Sequence, residues 1–242
     1  MTIRLANMAD LSGRIALITG ASRGIGRAAA LALAEAGAHV ILVARTVGGL
    51  EETDDAIRKI GGTATLVPMN LRDFDAIDRL GASIYERWGK LDAMLGNAGV
   101  LGPLTPLAQI TPKNFAEVME VNVTANWRLI RSMDPLLRQS DAGRVLFVSS
   151  GAAKKHTPYW GAYAVSKAAL EMLALTYAAE CAGTTVKVNL LNPGPMRTAM
   201  RAKAMPGEDP ATLPTPDQIA PQIVEMLSPS FGTSETIASF RR

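Results

Sequence analysis

A tyrosine and a lysine stand four residues apart, at Tyr163 and Lys167, in the segment Tyr-Ala-Val-Ser-Lys. On a helix, four residues make about one turn with ~6 Å of rise, so both side chains project from the same face. A free tyrosine has a pKa of ~10, and a nearby ammonium lowers that pKa because it favours the phenolate. The pair could therefore move a proton near neutral pH, although the same spacing also occurs on ordinary exposed helix faces.

Ser150 could bring a hydroxyl to the same chemistry. It closes the segment Phe147-Val-Ser-Ser150, which predicts a strand, and the carboxyl ends of parallel strands face the ligand crevice of an open α/β sheet. A hydroxyl there can bond a carbonyl oxygen and hold it beside the tyrosine proton. Ser149 is the alternative by position, but successive residues of a strand point to opposite sides of the sheet.

A glycine-rich turn joins the first predicted strand to the first predicted helix, with Gly20, Gly24 and Gly26 in the spacing Gly-x-x-x-Gly-x-Gly. Glycines there let the backbone take positive φ and approach a ligand closely. The following helix offers free N–H groups and the positive end of its dipole, which together attract a phosphate. The usual dinucleotide fingerprint has the different spacing Gly-x-Gly-x-x-Gly, and no Gly-Lys-Ser/Thr follows to indicate a P-loop.

Short apolar runs alternate with longer helix-period segments along the chain. Near-continuous apolar strands separated by helices are typical of a parallel sheet covered on both faces. The sequence therefore predicts a single α/β domain over residues 1–242, a Rossmann-like, doubly wound parallel sheet of about seven strands. The predicted strands are 15–19, 39–44, 63–69, 91–95, 144–149 and 185–191, with room for a short last strand within 236–240, and the predicted helices are 27–36, 48–60, 73–88, 112–138 and 159–182.

Composition narrows the class of protein. The 242 residues carry a formal net charge of +3 with scattered basic residues, which disfavours a nucleic-acid partner, and 48% are apolar, which rules out a disordered chain. A single cysteine, Cys181, and two histidines exclude a disulfide framework and disfavour a metal site. No stretch approaches the ~18 apolar residues of a membrane span, and residues 1–10 lack a signal-peptide core. We expect a cytoplasmic protein that binds no metal, membrane or nucleic acid.

The turn Thr-Gly-x-x-x-Gly-x-Gly resembles the cofactor turn of the short-chain dehydrogenase/reductase family, and the chain length matches one whole family domain. Further motifs agree in order with this resemblance. The turn after the fourth strand is Asn97-Ala98-Gly99, Ser150 stands thirteen residues before Tyr163, and Pro-Gly-x-x-x-Thr follows the sixth strand at residues 193–198. Asn70 departs from the family, which often has an acidic residue there beside the adenine.

The resemblance implies a role for each of these residues. In the family the tyrosine exchanges a proton with the substrate oxygen, the serine orients that oxygen, the lysine reaches the nicotinamide ribose, and the asparagine anchors a water. The residues that match the catalytic positions are Asn122, Ser150, Tyr163 and Lys167. Those that match cofactor-binding positions are Gly20, Ser22, Arg23, Gly24, Ile25, Gly26, Arg45, Asn70, Leu71, Asn97, Ala98, Gly99, Tyr163, Lys167, Pro193, Gly194, Met196 and Thr198.

The residue after the second strand indicates which dinucleotide is bound. In Rossmann-like sites an acid there holds the ribose 2′-hydroxyl, whereas an arginine accommodates a 2′-phosphate. Here Arg45 follows the strand, and the next carboxylate, Glu51, lies inside the following helix. Arg45 offers a planar cation that suits a phosphate, and Arg23 in the glycine turn offers a second one. The sequence therefore predicts NADP(H) rather than NAD(H).

The resemblance implies an NADP(H)-dependent oxidoreductase that interconverts a small-molecule carbonyl and an alcohol, with Tyr163 as the acid/base. It also implies a homodimer or homotetramer, because the helices that begin near Pro112 and carry Tyr163 commonly form a family interface. The Pro/Gly/Met-rich stretch within residues 195–214 has no clear periodicity, which is typical of a substrate lid. A non-catalytic NADP(H)-binding regulator of the same fold is the alternative, since fold alone does not determine function.

Overall fold

Seven parallel strands form the centre of the protein in a computed structural model that describes residues 9–241. The strands pair in the order β3-β2-β1-β4-β5-β6-β7, and every pairing is parallel. This is the Rossmann-like α/β sheet that the sequence predicts. The strands are β1 (Ile15–Thr19), β2 (His39–Ala44), β3 (Thr63–Pro68), β4 (Ala93–Gly96), β5 (Arg144–Val148), β6 (Lys187–Asn192) and β7 (Ile237–Ser239).

Helices cover both faces of this sheet, and the strands show why. Ile15 and Leu17 of β1 belong to one buried cluster, whereas Ala16 and Ile18 belong to the other. Side chains alternate along a strand, so an uninterrupted apolar run supplies both faces with core residues. The helices are α1 (Gly24–Glu35), α2 (Val47–Lys59), α3 (Phe74–Trp88), α4 (Pro112–Met119), α5 (Ala125–Leu137), α6 (Gly161–Glu180), α7 (Ala199–Ala204) and α8 (Pro216–Leu227).

The strand order reverses between β1 and β4, which marks the ligand crevice of an open α/β sheet. Helices α3, α5 and α6 pack in the cluster on one face, and α1, α2 and α8 pack in the cluster on the other. The crevice at the carboxyl ends of β1 and β4 is therefore flanked by the glycine turn on one side and by α6 on the other. Both motifs singled out in the sequence lie at this edge.

The predicted helix over residues 112–138 is wrong in one respect, because it is not a uniform α-helix. Residues Glu120–Thr124 form a π-helical segment between α4 and α5. A π turn holds one extra residue and is frequent at functional sites, and this one contains Asn122. The Pro/Gly/Met-rich stretch also differs from an irregular loop, because it contains α7 and a 3₁₀ turn at Pro210–Thr212.

Strands β1 and β2 have the predicted bounds, and the ends of the other predicted elements differ by at most three residues, with α1 beginning within the glycine turn, at Gly24. Helix α8 is not among the predicted helices. Across residues 9–241 no helix is long and apolar enough to cross a bilayer, and no cluster of three potential metal-ligating side chains occurs. Residues 1–8, on which most of the signal-peptide expectation rests, and Arg242 lie outside the described residues.

Candidate active site

Thr19 at the end of β1 ties the two central turns of the crevice together. Its hydroxyl accepts hydrogen bonds from the backbone N–H groups of Asn97 and Ala98, both at 3.0 Å. The Asn97 amide returns a hydrogen bond from Nδ2 to the Thr19 carbonyl at 2.9 Å. The turns after β1 and β4 are thus one hydrogen-bonded unit. Thr19 is not among the site residues predicted from the sequence, although it begins the glycine motif.

The glycines of the first turn are required by its geometry. Gly20 and Gly24 have φ values of +68° and +57°, a region that favours glycine. A Cβ atom at Gly26 would lie 2.3 Å from the Gly20 carbonyl oxygen and 2.5 Å from Asn97 Nδ2. Any side chain at residue 26 would therefore push α1 away from the turn. The backbone is consequently bare at the start of α1, where a phosphate would bind.

The helix starts near this turn leave their first N–H groups available. Among the described residues, no side chain caps α1 at Arg23 or α2 at Thr46, whereas α3 and α4 are capped by Asp73 and Thr111. Uncapped helix N-termini attract anions through their free amides and the helix dipole.

The two uncapped starts also lie close together. A Cβ atom at Gly49 in α2 would be 2.9 Å from Ser22 Cβ, so the beginning of α2 packs directly on the glycine turn. Arg23 and Arg45 are both exposed at these two turns. The arrangement fits a ligand with several phosphates, one of them near Arg45.

The loop after β6 closes the opposite side of the crevice. A Cβ atom at Gly24 would lie 3.6 Å from Thr198 Cγ2, so the glycine turn and the Pro-Gly-x-x-x-Thr loop face each other. The Thr198 hydroxyl accepts from Arg201 N–H at 3.2 Å and thereby caps α7. Met196 is buried in the core, whereas Pro193 is half-buried and Gly194 is exposed with a φ of +65°.

The structure separates the two residues that follow β3. Asn70 is exposed, and its Oδ1 accepts from the Arg72 N–H at 3.2 Å. Leu71 is buried in the core on the α3 side of the sheet. The side chain of Leu71 therefore supports the turn from below, and Asn70 is the residue of the pair that is open to a ligand.

Tyr163, Lys167 and Ser150 meet at the carboxyl end of β5. Tyr163 and Lys167 lie one turn apart on α6, and both are more than nine-tenths buried. Lys167 Nζ lies 5.9 Å from the centre of the Tyr163 ring and donates to the Val148 carbonyl oxygen at 2.7 Å. Ser150 faces the phenol of Tyr163 closely enough to act on its pKa, so the three side chains form one cluster. Trp160 packs edge-on against the Tyr163 ring.

Burial dominates the protonation of this cluster. It raises the pKa of Tyr163 above its usual value of 10.0, and the neighbouring Ser150 hydroxyl acts in the opposite direction. Burial also lowers the pKa of Lys167 from 10.5 to about 8. The lowered tyrosine pKa that the sequence predicts is therefore not produced by these protein groups alone, because desolvation of the phenol raises that pKa. Lys167 still carries a positive charge at neutral pH.

Asn122 anchors the loop between β4 and α4 to α6. Its Oδ1 accepts from Val100 N–H at 2.8 Å, and its Nδ2 donates to the Val100 carbonyl and to Ser166 Oγ, both at 2.9 Å. The π segment directs the Asn122 backbone carbonyl to Asn126 Nδ2, at 2.8 Å. A Cβ atom at Gly99 would lie 3.3 Å from Asn122 Oδ1 and 3.8 Å from Lys167 Nζ, so Gly99 keeps the path between them open.

The two serines after β5 point to different surroundings, as the strand alternation predicts. Ser149 is buried, and its hydroxyl donates to Glu171 Oε1 at 2.6 Å. Ser150 is half-buried, and its oxygen also accepts from Ala152 N–H at 3.2 Å. Ser150 is thus the serine that faces Tyr163. Glu171 was not singled out in the sequence, and its spacing of four residues after Lys167 is the one signal that could have found it.

An open α/β sheet with a phosphate-binding turn at the switch point and a tyrosine, lysine and serine at the adjoining edge defines a dinucleotide-dependent class of protein. The sequence matches the short chain dehydrogenase family over residues 14–209, so the chain belongs to that family.

Similar proteins share nearly the whole chain. The oxidoreductase YciK of Escherichia coli K12 is 40% identical over 214 residues, which cover 87% of this chain and 84% of YciK. A short-chain dehydrogenase structure from Pseudomonas syringae has 40% identity, a TM-score of 0.94 and coverage of 97% of each chain. A short-chain dehydrogenase structure from Shigella flexneri, solved in complex with NADP, has 36% identity and a TM-score of 0.93, covering 98% of this chain and 100% of its own. This protein is therefore an oxidoreductase of the short-chain dehydrogenase family.

Proposed function

We propose that this protein interconverts a small-molecule carbonyl and an alcohol with NADP(H), using Tyr163 as the acid/base. The observation that carries the proposal is the cluster at the end of β5, where Ser150 faces the phenol of Tyr163 one helical turn from the Lys167 ammonium. A non-catalytic regulator has no need of such a cluster. A panel of ketones, aldehydes and alcohols, followed by the change in NADPH absorbance, tests the proposal.

Each residue of the cluster has a separate part. Ser150 donates a hydrogen bond to the carbonyl oxygen and stabilises the negative charge that develops there. Tyr163 delivers its proton to the same oxygen, and the positive charge of Lys167 stabilises the phenolate that is left. Bound NADPH supplies the hydride for the carbonyl carbon. Asn122 fixes the loop at Val100 against α6 and so holds the floor of the site.

NADP(H) fits the residues of the crevice better than NAD(H). The bare glycine turn and the two uncapped helix starts suit the pyrophosphate, while Arg23 and Arg45 suit the 2′-phosphate. The Shigella flexneri relative was solved with NADP. Gly20, Ser22, Gly24, Ile25 and Gly26 would hold the pyrophosphate. Asn70 would border the adenine, with Leu71 supporting that turn from the core. Asn97, Ala98 and Gly99 would border the ribose, and Pro193, Gly194 and Thr198 the nicotinamide, with Met196 supporting that loop from the core.

Arg45→Ala weakens NADPH binding about 10- to 100-fold and changes NADH binding by less than about threefold. A charge-assisted hydrogen bond contributes ~1.5–3 kcal/mol, and NADH lacks the phosphate that would accept it. Quenching of intrinsic fluorescence gives both dissociation constants. Arg79→Ala, an exposed arginine on α3, is the matched control. Equal weakening for both cofactors in the Arg45 variant contradicts the assignment.

Residues 195–214 form a lid over the substrate side of the crevice in this proposal. All six residues of α7 are at least partly exposed, so little apolar burial holds the helix down. Hydrogen bonds from two arginine side chains hold the segment instead. Arg197 donates to the carbonyls of Pro210 and Ala211, and Arg201 forms two 2.6 Å hydrogen bonds with Glu208. A segment held mainly by exposed polar contacts belongs to the part of a fold that opens most easily.

We also propose that the protein is a single domain over residues 1–242 that forms a homodimer. A cytoplasmic location belongs to the same proposal, and the free thiol of Cys181 supports it. Helices α5 and α6 lie on one face of the sheet and expose Trp127, Val165 and Met172 to solvent. Large apolar side chains grouped on one face are typical of a subunit interface.

Two charged substitutions in this surface, Trp127→Glu and Met172→Glu, raise the dissociation constant of the dimer by about 100-fold or more when combined. Each places an unpaired carboxylate in a buried interface, which is costly. Sedimentation equilibrium measures the change, and Tyr85→Glu, at an exposed position of α3, is the control. A wild-type protein that sediments as a monomer at micromolar concentration contradicts the dimer.

A further inference from the structure

Glu171 is a buried carboxylate that the mechanism above does not use. It lies on α6 four residues after Lys167, and only 8% of it is exposed. Ser149 Oγ donates to Glu171 Oε1 at 2.6 Å, and Ser149 itself is 2% exposed. A buried carboxylate is costly unless it is hydrogen-bonded and faces a positive charge. The hydrogen bond comes from Ser149, and the positive charge one turn away is Lys167.

The surroundings of Lys167 show why this carboxylate matters. The groups around the ammonium are the Tyr163 phenol on the same helix, the carbonyl of Val148 at the end of β5, and the neutral amide of Asn122 across Gly99. Glu171 is a buried carboxylate one turn further along the same helix, and its charge favours the protonated amine of Lys167. Burial acts against that charge and holds the pKa of Lys167 at about 8.

Ser149 fixes the carboxylate to the strand that carries the catalytic serine. It directly precedes Ser150, so a single strand end binds Glu171 through one serine and places the next beside Tyr163. The hydrogen bond also leaves the carboxylate little freedom to turn away from α6. The charge of Glu171 is therefore held at a constant place relative to Lys167 and to the end of β5.

We propose that Glu171, held by Ser149, is the counter-charge that keeps the buried Lys167 ammonium protonated. Glu171 is a positioning residue, because it acts on the reaction through Lys167 and touches neither the cofactor nor the substrate. The kinetic consequence rests on the proposed function, since a charged Lys167 stabilises the Tyr163 phenolate. The effect on Lys167 itself does not depend on turnover and can be measured directly.

The direct test is an NMR titration of the protein labelled with ¹³C at the lysine Cε atoms, in wild type and in Glu171→Gln. The Lys167 signal is assigned from its loss in Lys167→Met. Wild-type Lys167 titrates with a pKa of about 8, and in Glu171→Gln it titrates at lower pH. Glutamine keeps an oxygen that accepts from Ser149 and removes only the charge. The control is Glu180→Gln, at the exposed end of α6, and an unchanged Lys167 titration in folded Glu171→Gln overturns the proposal.

If Glu171→Gln folds poorly, a double-mutant cycle of unfolding free energies at Glu171 and Lys167 tests the proposal instead. With Lys167 present, Glu171→Gln removes a favourable charge pair and raises the unfolding equilibrium constant at pH 7 about tenfold. In the Lys167→Met background the same change removes an uncompensated buried carboxylate, so it lowers that constant. Urea unfolding of the four proteins measures both effects. The same sign in both backgrounds overturns the proposal.

The pH profile of alcohol oxidation provides the kinetic test. In Glu171→Gln the rising limb of the profile moves to higher pH, and turnover at pH 7 falls about tenfold, because a less charged Lys167 favours the phenolate less. Glu171→Asp, which keeps the charge, restores most of the rate. If wild type shows no turnover on any substrate, the proposed function fails while the NMR titration still decides the role of Glu171. If Tyr163→Phe is inactive but the Lys167 titration never moves, only the role of Glu171 fails.

Discussion

Tyr163→Phe lowers turnover by about 1,000-fold or more and leaves the dissociation constant of NADPH within about twofold of wild type. General acid catalysis by a positioned side chain contributes ~10²–10⁴ to a rate, and no other described hydroxyl is placed to replace it. Ser150 lies beside the phenol, but an aliphatic hydroxyl is a far weaker acid than a phenol. The fold is retained, because phenylalanine fills the buried space of the tyrosine ring. Loss of NADPH absorbance measures turnover, and fluorescence quenching measures cofactor binding.

Tyr85→Phe, at an exposed position of α3, is the matched control and keeps the wild-type rate. A Tyr163→Phe variant that turns over at the wild-type rate removes Tyr163 from the chemistry. If the wild type is active and Tyr163→Phe binds NADPH normally but has lost turnover, the result excludes a non-catalytic NADP(H)-binding regulator. Binding by both proteins with turnover by neither is the result that favours a regulator.

The fold could be predicted because the sequence patterns that indicate its strands and turns involve residues close together in the chain. Each strand of the sheet centre is an apolar run that feeds two cores, and such runs are visible without knowledge of the partner strands. The glycine turn could be predicted for the same reason, since the positive φ values of Gly20 and Gly24 and the approach of Gly26 to the Gly20 carbonyl oxygen arise within the turn itself. Tyr163 and Lys167 share a face simply because they are one turn apart.

Features that arise from contacts between distant segments could not be predicted. The π segment at Asn122 is stabilised by hydrogen bonds to Val100 and Ser166. The helical periodicity of the sequence does not reveal these contacts, because it reflects only which residues share a helix face. Gly96 is another case, because a Cβ atom there would lie 2.4 Å from Cδ1 of Phe147, on the adjacent strand. Leu71 reads as part of a cofactor motif, yet its side chain is in the core.

Lys167→Met lowers turnover about 100-fold. It also removes the contribution that the titration of Lys167 makes to the pH dependence of the free energy of unfolding. The loss of rate follows from the charge, because a neutral side chain no longer lowers the energy of the Tyr163 phenolate. Methionine has nearly the same volume and remains buried, so the helix keeps its place against β5. The hydrogen bond to the Val148 carbonyl is lost in the same change, as is the partner charge of Glu171. We therefore compare how the free energy of unfolding of wild type and of Lys167→Met changes with pH, since a single pH does not separate these effects.

The sign of that pH dependence follows from the direction of the lysine pKa. In the folded protein burial lowers it from 10.5 to about 8, so the folded form binds the proton less tightly than the unfolded chain. Below about pH 8 both forms are protonated and the folded protein bears the full cost of the buried charge. As pH rises from about 8 towards 10.5, the folded protein loses its proton first, and its free energy of unfolding gains about 3 kcal/mol relative to Lys167→Met. Urea unfolding at pH 7 and pH 10 measures this gain. Equal changes in the two proteins show that folding does not lower the pKa of Lys167, which contradicts the burial of its ammonium beside Tyr163.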